Sequence, residues 1–355
     1  MQLKVIFIVF LMCMGCKKPF SNTPETVLAL PLKQEQKQES IVFIAGFDEG
    51  DNKYYANAKA YFSGKGMSIV DTLFSIEEII TWLNHRAKYH TSFNEIHIVS
   101  HSNAWLGMSL RTTKNGKRVT LEALQDVQRY HRFPKIQDGV THRTKIVFHS
   151  CGLGENQELL RELKRAFSNT NTNSGLNSNE SGPQVYASTF FNVFGGKFAG
   201  HYLARPYYGF YPTGASKGPL YLSEEFAKKY PDTRIDWFDA VKTRTETHAG
   251  VPYSYKFNIP VNWEFTFDGG SEIPTLEDKE ALLDFISESP EIAATLFTLN
   301  IPIENYRWRW KLSGNRLQIK GKTTVLCVLA PILQDSHSSE YREPAVDDRL
   351  LYQIL

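Results

Sequence analysis

Two short apolar runs in this chain each end in a side chain that can do chemistry. Ile96-His97-Ile98-Val99 leads into Ser100-His101-Ser102, and Lys145-Ile146-Val147-Phe148 leads into His149-Ser150-Cys151-Gly152. An imidazole and a thiol are the two groups that nucleophilic acyl transfer needs. The sulfur attacks a carbonyl, and the ring takes and returns the proton. Either residue alone is ordinary, since a lone thiol at a strand end packs as a small apolar side chain. The pair on two strand ends carries the expectation, because sites in open α/β sheets are built at the carboxyl ends of the strands. His97 and His149 lie within the runs and are expected to pack there, although His149 is also close enough to Cys151 to line a cleft.

The elements needed to place this pair are legible around it. Apolar runs at 41–45, 67–70, 96–100, 145–148 and 185–188 read as strands, and helical spacing at 54–63 and after Ser75 separates the first three. Ser75 with Glu78 three residues on forms a capping box. This alternation predicts an α/β fold, a mainly parallel sheet flanked by helices. After His101 the pattern changes to β-prone segments around Asn115-Gly116, a hairpin signal. A helix capped by Thr120 follows, and another is expected over 152–167. Residues 169–182, rich in Asn, Ser, Thr and Gly, read as a mobile loop. Further on, 255–267 alternates with Pro260 inside it, which suits an edge strand. Residues 308–329 read as an antiparallel meander with turns at Gly314 and Gly321. The expected organisation is a leader at 1–16, a flexible tether at 17–40, an α/β domain at 41–210, a β-rich α+β region at 211–335 and a loose polar tail at 336–355.

Bulk properties exclude several classes. The chain has 355 residues and a formal net charge of +2, with no basic run interleaved with aromatics, so a nucleic-acid partner is not expected. Zinc-type cysteine spacing, a P-loop and a dinucleotide glycine fingerprint are all missing from the sequence, and no metal or organic cofactor is expected. Lys4 precedes an apolar run over 5–12 and then Cys13-Met14-Gly15-Cys16, a secretion signal too short to span a bilayer. Gly15-Cys16 resembles the end of a bacterial lipobox, with Cys13 where that pattern usually has an aliphatic residue. The resemblance implies that Cys16 is the lipidated first residue of the mature protein. It implies a lipid anchor in a membrane of the bacterial cell envelope, facing the periplasm or the surface. Two cysteines then remain in the body, Cys151 and Cys327. Cys327 lies in an apolar strand pattern and reads as a buried thiol rather than a bridge partner.

Residues 41–190 resemble the caspase–gingipain–clostripain clan of cysteine peptidases. A strand ends in Ser100-His101 and a small residue, a small hairpin and a capped helix follow, and a second strand ends in Cys151-Gly152. The separation of fifty residues between His101 and Cys151 lies near the caspase spacing. The resemblance implies a caspase-like sheet and a peptide or protein substrate. Cys151 becomes the nucleophile and His101 the acid/base, and the backbone amides of Cys151 and Ser102 hold the oxyanion. Ser102 stands where the family normally has Gly, a departure that matters if the backbone there needs a positive φ. Asp48, Glu49 and Asp51 leave the end of the first strand, either to receive a basic substrate side chain or as a solvated acidic turn. Phe190 follows the 185–188 strand as a specificity wall or as ordinary packing.

Two other readings stay open. Ser100-His101-Ser102-Asn103-Ala104 fits a nucleophile elbow, so the chain reads alternatively as an α/β-hydrolase-type serine esterase using Ser102, with His201 or His248 as its base. An elbow needs a helix directly after the serine, and 106–120 reads as a hairpin instead. The third reading is a non-catalytic surface-binding lipoprotein with a caspase-like fold, its aromatic-rich second half serving as the binding module.

Overall fold

The alternating apolar runs sort into two sheets of opposite character. The computed structural model describes residues 37–48, 53–89, 91–103, 107–130, 132–137, 139–169, 182–196, 199–212, 218–242, 255–268, 276–290, 292, 296, 301–335 and 340–355. The leader, Cys16 and most of the expected tether lie outside these residues, as do 170–181 within the expected loop.

In chain order the first part runs β1 (Lys37–Ile44), α1 (Lys53–Gly64), β2 (Ser68–Val70), α2 (Ile76–Ala87) and β3 (Thr91–Val99). A small antiparallel sheet follows, β4 (Ser102–Asn103), β5 (Gly107–Arg111) and β6 (Arg118–Val119), then α3 (Leu121–Arg129), β7 (Lys145–His149), α4 (Gln157–Ala166) and β8 (Gln184–Ser188). The five long-range strands lie in the order β8-β7-β3-β1-β2, all parallel. Successive strand side chains point to opposite faces. Accordingly Ile41, Phe43, Ile96, Ile98, Ile146 and Phe148 pack with Ile79, Ile80, Leu83, Leu124, Leu160 and Leu163 of α2, α3 and α4. Val42, Ile44 and Val99 pack on the other face with Ala58 and Phe62 of α1. The protein is therefore mixed α/β with a mainly parallel sheet flanked by helices.

Local signals set the helix ends. The Ser75 hydroxyl accepts from the Glu78 amide at 3.2 Å and donates to the Glu78 carboxylate at 2.8 Å, a cap worth about 1 kcal/mol. The helix expected over 152–167 is broken. A 3-10 turn over Leu153–Glu155 precedes α4, because the Asn156 side chain accepts from the Leu159 amide at 3.0 Å and starts a new helix there. Residues 37–40, expected in the tether, already pair with β3.

The second part comprises β9 (Phe191–Phe194), β10 (His201–Pro212), α5 (Gly218–Lys229), α6 (Trp237–Lys242), β11 (Tyr255–Asp268), α7 (Lys279–Glu288), β12 (Arg307–Ser313), β13 (Arg316–Pro331) and β14 (Tyr352–Ile354). An antiparallel sheet has the order β11-β13-β10-β9, with β12 beside β13. Its inner face includes Tyr202, Trp308, Ile319, Val325 and Cys327. Pro260 sits on β11, an edge strand, the position where a sheet tolerates proline. Gly321 is not the expected turn. β13 runs straight through it, and a Cβ there would come within 2.3 Å of the Trp308 ring. Two boundaries also move. The second sheet begins at β9, so β10 spans the expected division after 210. The expected loose tail carries β14, which pairs antiparallel with β8 and completes the main sheet with Leu351 and Tyr352 buried. Its three residues are too few to show a period between charged neighbours.

Candidate functional site

Strands β3 and β7 are parallel neighbours, and Val99 lies opposite His149. His101 and Cys151 each follow two residues later, so both leave the carboxyl edge of the sheet from adjacent strands, which run about 4.8 Å apart. The Ser100 amide donates to the His149 carbonyl at 3.4 Å, which carries the register past the strand ends.

The His101 side of this rim is polar. Asp48, just beyond β1, brings Oδ2 to 3.7 Å from Nε2 of His101. Its Oδ1 accepts from the Tyr55 hydroxyl at 2.6 Å, and that same hydroxyl accepts the His101 amide at 3.0 Å. Tyr55 fits only because residue 46 is Gly, whose Cβ position lies 1.7 Å from the tyrosine oxygen. Burial lowers the His101 pKa, the Asp48 charge raises it, and Arg118 lowers it. The ring stacks on Tyr54, with centroids 4.3 Å apart.

The Cys151 side is apolar. Cys151 is 7% exposed and packs with Phe191, Tyr202 and Cys327. Its thiol donates to the Asn192 carbonyl at 3.8 Å, and burial pushes its pKa up to about 12. Cys151 and Cys327 are both free thiols. Gly152 takes φ +67°, and its amide donates to the Phe190 carbonyl at 3.1 Å. Tyr54 touches both sides. Its hydroxyl donates to the His149 carbonyl at 2.7 Å, and its own ionisation is opposed first by burial and next by the charge of Cys151.

Behind the rim lies a buried polar seam. His97 Nδ1 and His149 Nε2 are 3.0 Å apart, one donating to the other. His201 Nε2 lies 3.1 Å from the side-chain oxygen of Asn192. Burial lowers the pKa of His149 and holds that of His201 down at about 3. His149 therefore packs inside rather than lining a cleft. Asn192 was missed in the sequence, where the only signal is one amide among Phe190, Phe191, Val193 and Phe194. Among the described residues no group of three or more His, Cys, Asp or Glu side chains is arranged to hold a metal ion.

The remaining sequence candidates divide. Asp48 is engaged with Tyr55 and His101, which answers the expectation of a solvated turn or a receptor for a basic group with a third role. Glu49, Asp51 and His248 lie outside the described residues. Phe190 is half-buried and packs with Val147, Tyr186 and Leu203 rather than in the cluster that holds Cys151, with the Arg205 guanidinium 5.6 Å from its ring, which is the packing role of the two expected for it. Ser102 pairs with Met108 as a strand residue of β4. That extended pairing asks no left-handed backbone of Ser102. It also gives strands where a nucleophile elbow requires a helix, so the geometric premise of the Ser102 esterase is not met. His201 is held by Asn192 within the seam. No helix among the described residues is long and apolar enough to cross a membrane. Compared with family models, curated proteins and solved structures, the chain finds no match in any of the three.

Proposed function

We propose that this chain is a caspase-like cysteine endopeptidase, anchored by lipid at Cys16 in the bacterial cell envelope and held in a resting conformation. One observation carries the peptidase reading. The in-register pairing of β3 with β7 brings His101 and Cys151 to one edge of one sheet from adjacent strands. The small sheet β4-β5-β6 and the Thr120-capped helix between them support the same reading.

In the proposed reaction Cys151 Sγ bonds to the carbonyl carbon of a peptide as its proton passes to the His101 ring. The carbon–nitrogen bond then breaks, and His101 returns the proton to the departing amine. Water cleaves the thioester, releasing the acid and restoring the thiol. The amides of Cys151 and Ser102 serve the oxyanion. The sulfur must first lose its burial, because desolvation holds its pKa near 12 and such a thiol presents almost no thiolate at neutral pH. Asp48 serves the histidine rather than a substrate.

Peptide-library hydrolysis by the wild type against Cys151→Ala tests this. The variant is expected to lose activity by a factor on the order of 10⁴ or more, and equal rates would end the peptidase reading. The burial of Cys151 favours a second reading, a binding lipoprotein on the same fold. Absence of hydrolysis by the wild type, with tight capture of a peptide ligand, would select it.

A further inference from the structure

The best-built polar group on the rim is not the thiol but the set around His101. A single oxygen, the Tyr55 hydroxyl, bonds to two parts of this set. It donates to Asp48 Oδ1 at 2.6 Å and accepts the His101 amide at 3.0 Å. The carboxylate is thereby pinned to the same atom that pins the histidine backbone. Its second oxygen, Oδ2, is left 3.7 Å from Nε2 of the imidazole. Gly46, at the end of β1, leaves the space this hydroxyl occupies. The ring itself is held flat by Tyr54, 4.3 Å away and stacked, while Tyr55 closes on it at 4.9 Å. Two aromatic side chains therefore pack on the ring, and one carboxylate oxygen lies at ion-pair distance from its Nε2. Such a frame favours the tautomer with the proton on Nε2, on the side of Asp48.

We propose that Asp48, locked by the Tyr55 hydroxyl, is a positioning residue that orients the His101 imidazole through Nε2 and stabilises its protonated form. This inference rests on the peptidase reading for its catalytic meaning, but the Asp48–His101 coupling itself does not. Among the described residues, the charged and titratable groups facing His101 include Asp48, Tyr54 and Tyr55 around the ring, with Arg118 on β6. The Arg118 guanidinium is directed to the Ser109 hydroxyl at 3.0 Å and lies over Phe47. Asp48 and Arg118 oppose one another at the ring, so removing the carboxylate leaves the arginine's repulsion uncompensated.

The test uses the intact chain and two readouts. The first is NMR titration of the His101 ring proton, assigned by its loss in His101→Ala, in the wild type, Asp48→Asn, Asp48→Glu and Tyr55→Phe. Asp48→Asn should lower the midpoint by about one pH unit. Tyr55→Phe should lower it by less, and Asp48→Glu should restore part of the shift. The second readout is the pH profile of kcat/KM, whose acid limb should move with the midpoint while kcat falls roughly tenfold to a hundredfold in Asp48→Asn. A merely structural carboxylate would change stability without moving either curve. An unmoved His101 midpoint in folded Asp48→Asn, with an unmoved acid limb, overturns the proposal. A midpoint that moves as expected supports the Asp48–His101 coupling even where the wild type hydrolyses no peptide, an outcome that counts against the peptidase reading alone.

Discussion

The two halves of the rim are built from the same backbone device and differ in everything else. His101 and Cys151 both lie two residues past a paired position on neighbouring parallel strands. Around His101 the protein supplies a carboxylate, a hydroxyl and a guanidinium within electrostatic reach. Around Cys151 it supplies aromatic rings, a second thiol and a backbone carbonyl. Backbone topology alone therefore does not make a reactive pair. An imidazole can be held beside a carboxylate on one strand end while burial keeps the thiol on the next one protonated. Activation, in this reading, is a problem for the Cys151 side only.

The sharpest way to break that contrast is thiol labelling of the resting protein. With its pKa near 12, Cys151 should react with iodoacetamide about 10³-fold more slowly than an unperturbed cysteine of pKa about 8.5. His101→Ala should leave that slow rate unchanged. Fast labelling that depends on His101 would mean that the two halves are already coupled.

Tyr54 is the side chain that spans the contrast. Tyr54→Ala should raise the labelling rate at least tenfold and cost about 2–3 kcal/mol, less than a fully buried aromatic truncation because Tyr54 is half-buried. Tyr54→Phe keeps the ring on His101 and loses the bond to the His149 carbonyl, at a cost of about 1 kcal/mol. Chemical denaturation and labelling of both variants separate covering from anchoring.

The seam behind the rim predicts acid sensitivity with a definite sign. His149 and His201 are held neutral in the fold, with His201 at about 3, whereas the unfolded chain takes up protons near pH 6.5. Their contribution to stability is full above that pH and is lost as pH falls towards the folded values. The slope is at most about 1.4 kcal/mol per pH unit for each histidine. Denaturation midpoints between pH 7 and 4 should follow this slope, and His201→Gln should flatten it. The smallest effect is expected at Gly152. A Cβ there meets only Phe191 at 3.6 Å, so Gly152→Ala should cost about 1 kcal/mol, from the positive φ alone.

Much of this was readable in order along the chain. The runs ending at His101 and Cys151, the cap at Ser75, the hairpin at Asn115-Gly116 and the edge role of Pro260 all follow from nearby residues. Gly321 misled, because a glycine that makes room for Trp308 looks in sequence like a glycine that turns. The break at Asn156 was hidden because the apolar spacing of α4 continues backwards across it. Asn192 and Tyr55 were not legible as site residues, since each acts on groups far away in sequence.

The sequence by itself determined the strands of the parallel sheet, the caps at Ser75 and Thr120 and which two residues leave the strand ends. Those features arise from side-chain periodicity and local hydrogen bonding, which need no distant partner. Only the tertiary structure decided that β14 completes the main sheet, that Asp48 and Tyr55 frame His101, and that Cys151 is buried against the second sheet. Burial and electrostatic environment depend on what packs against a residue, and that is set by segments arriving from elsewhere in the chain.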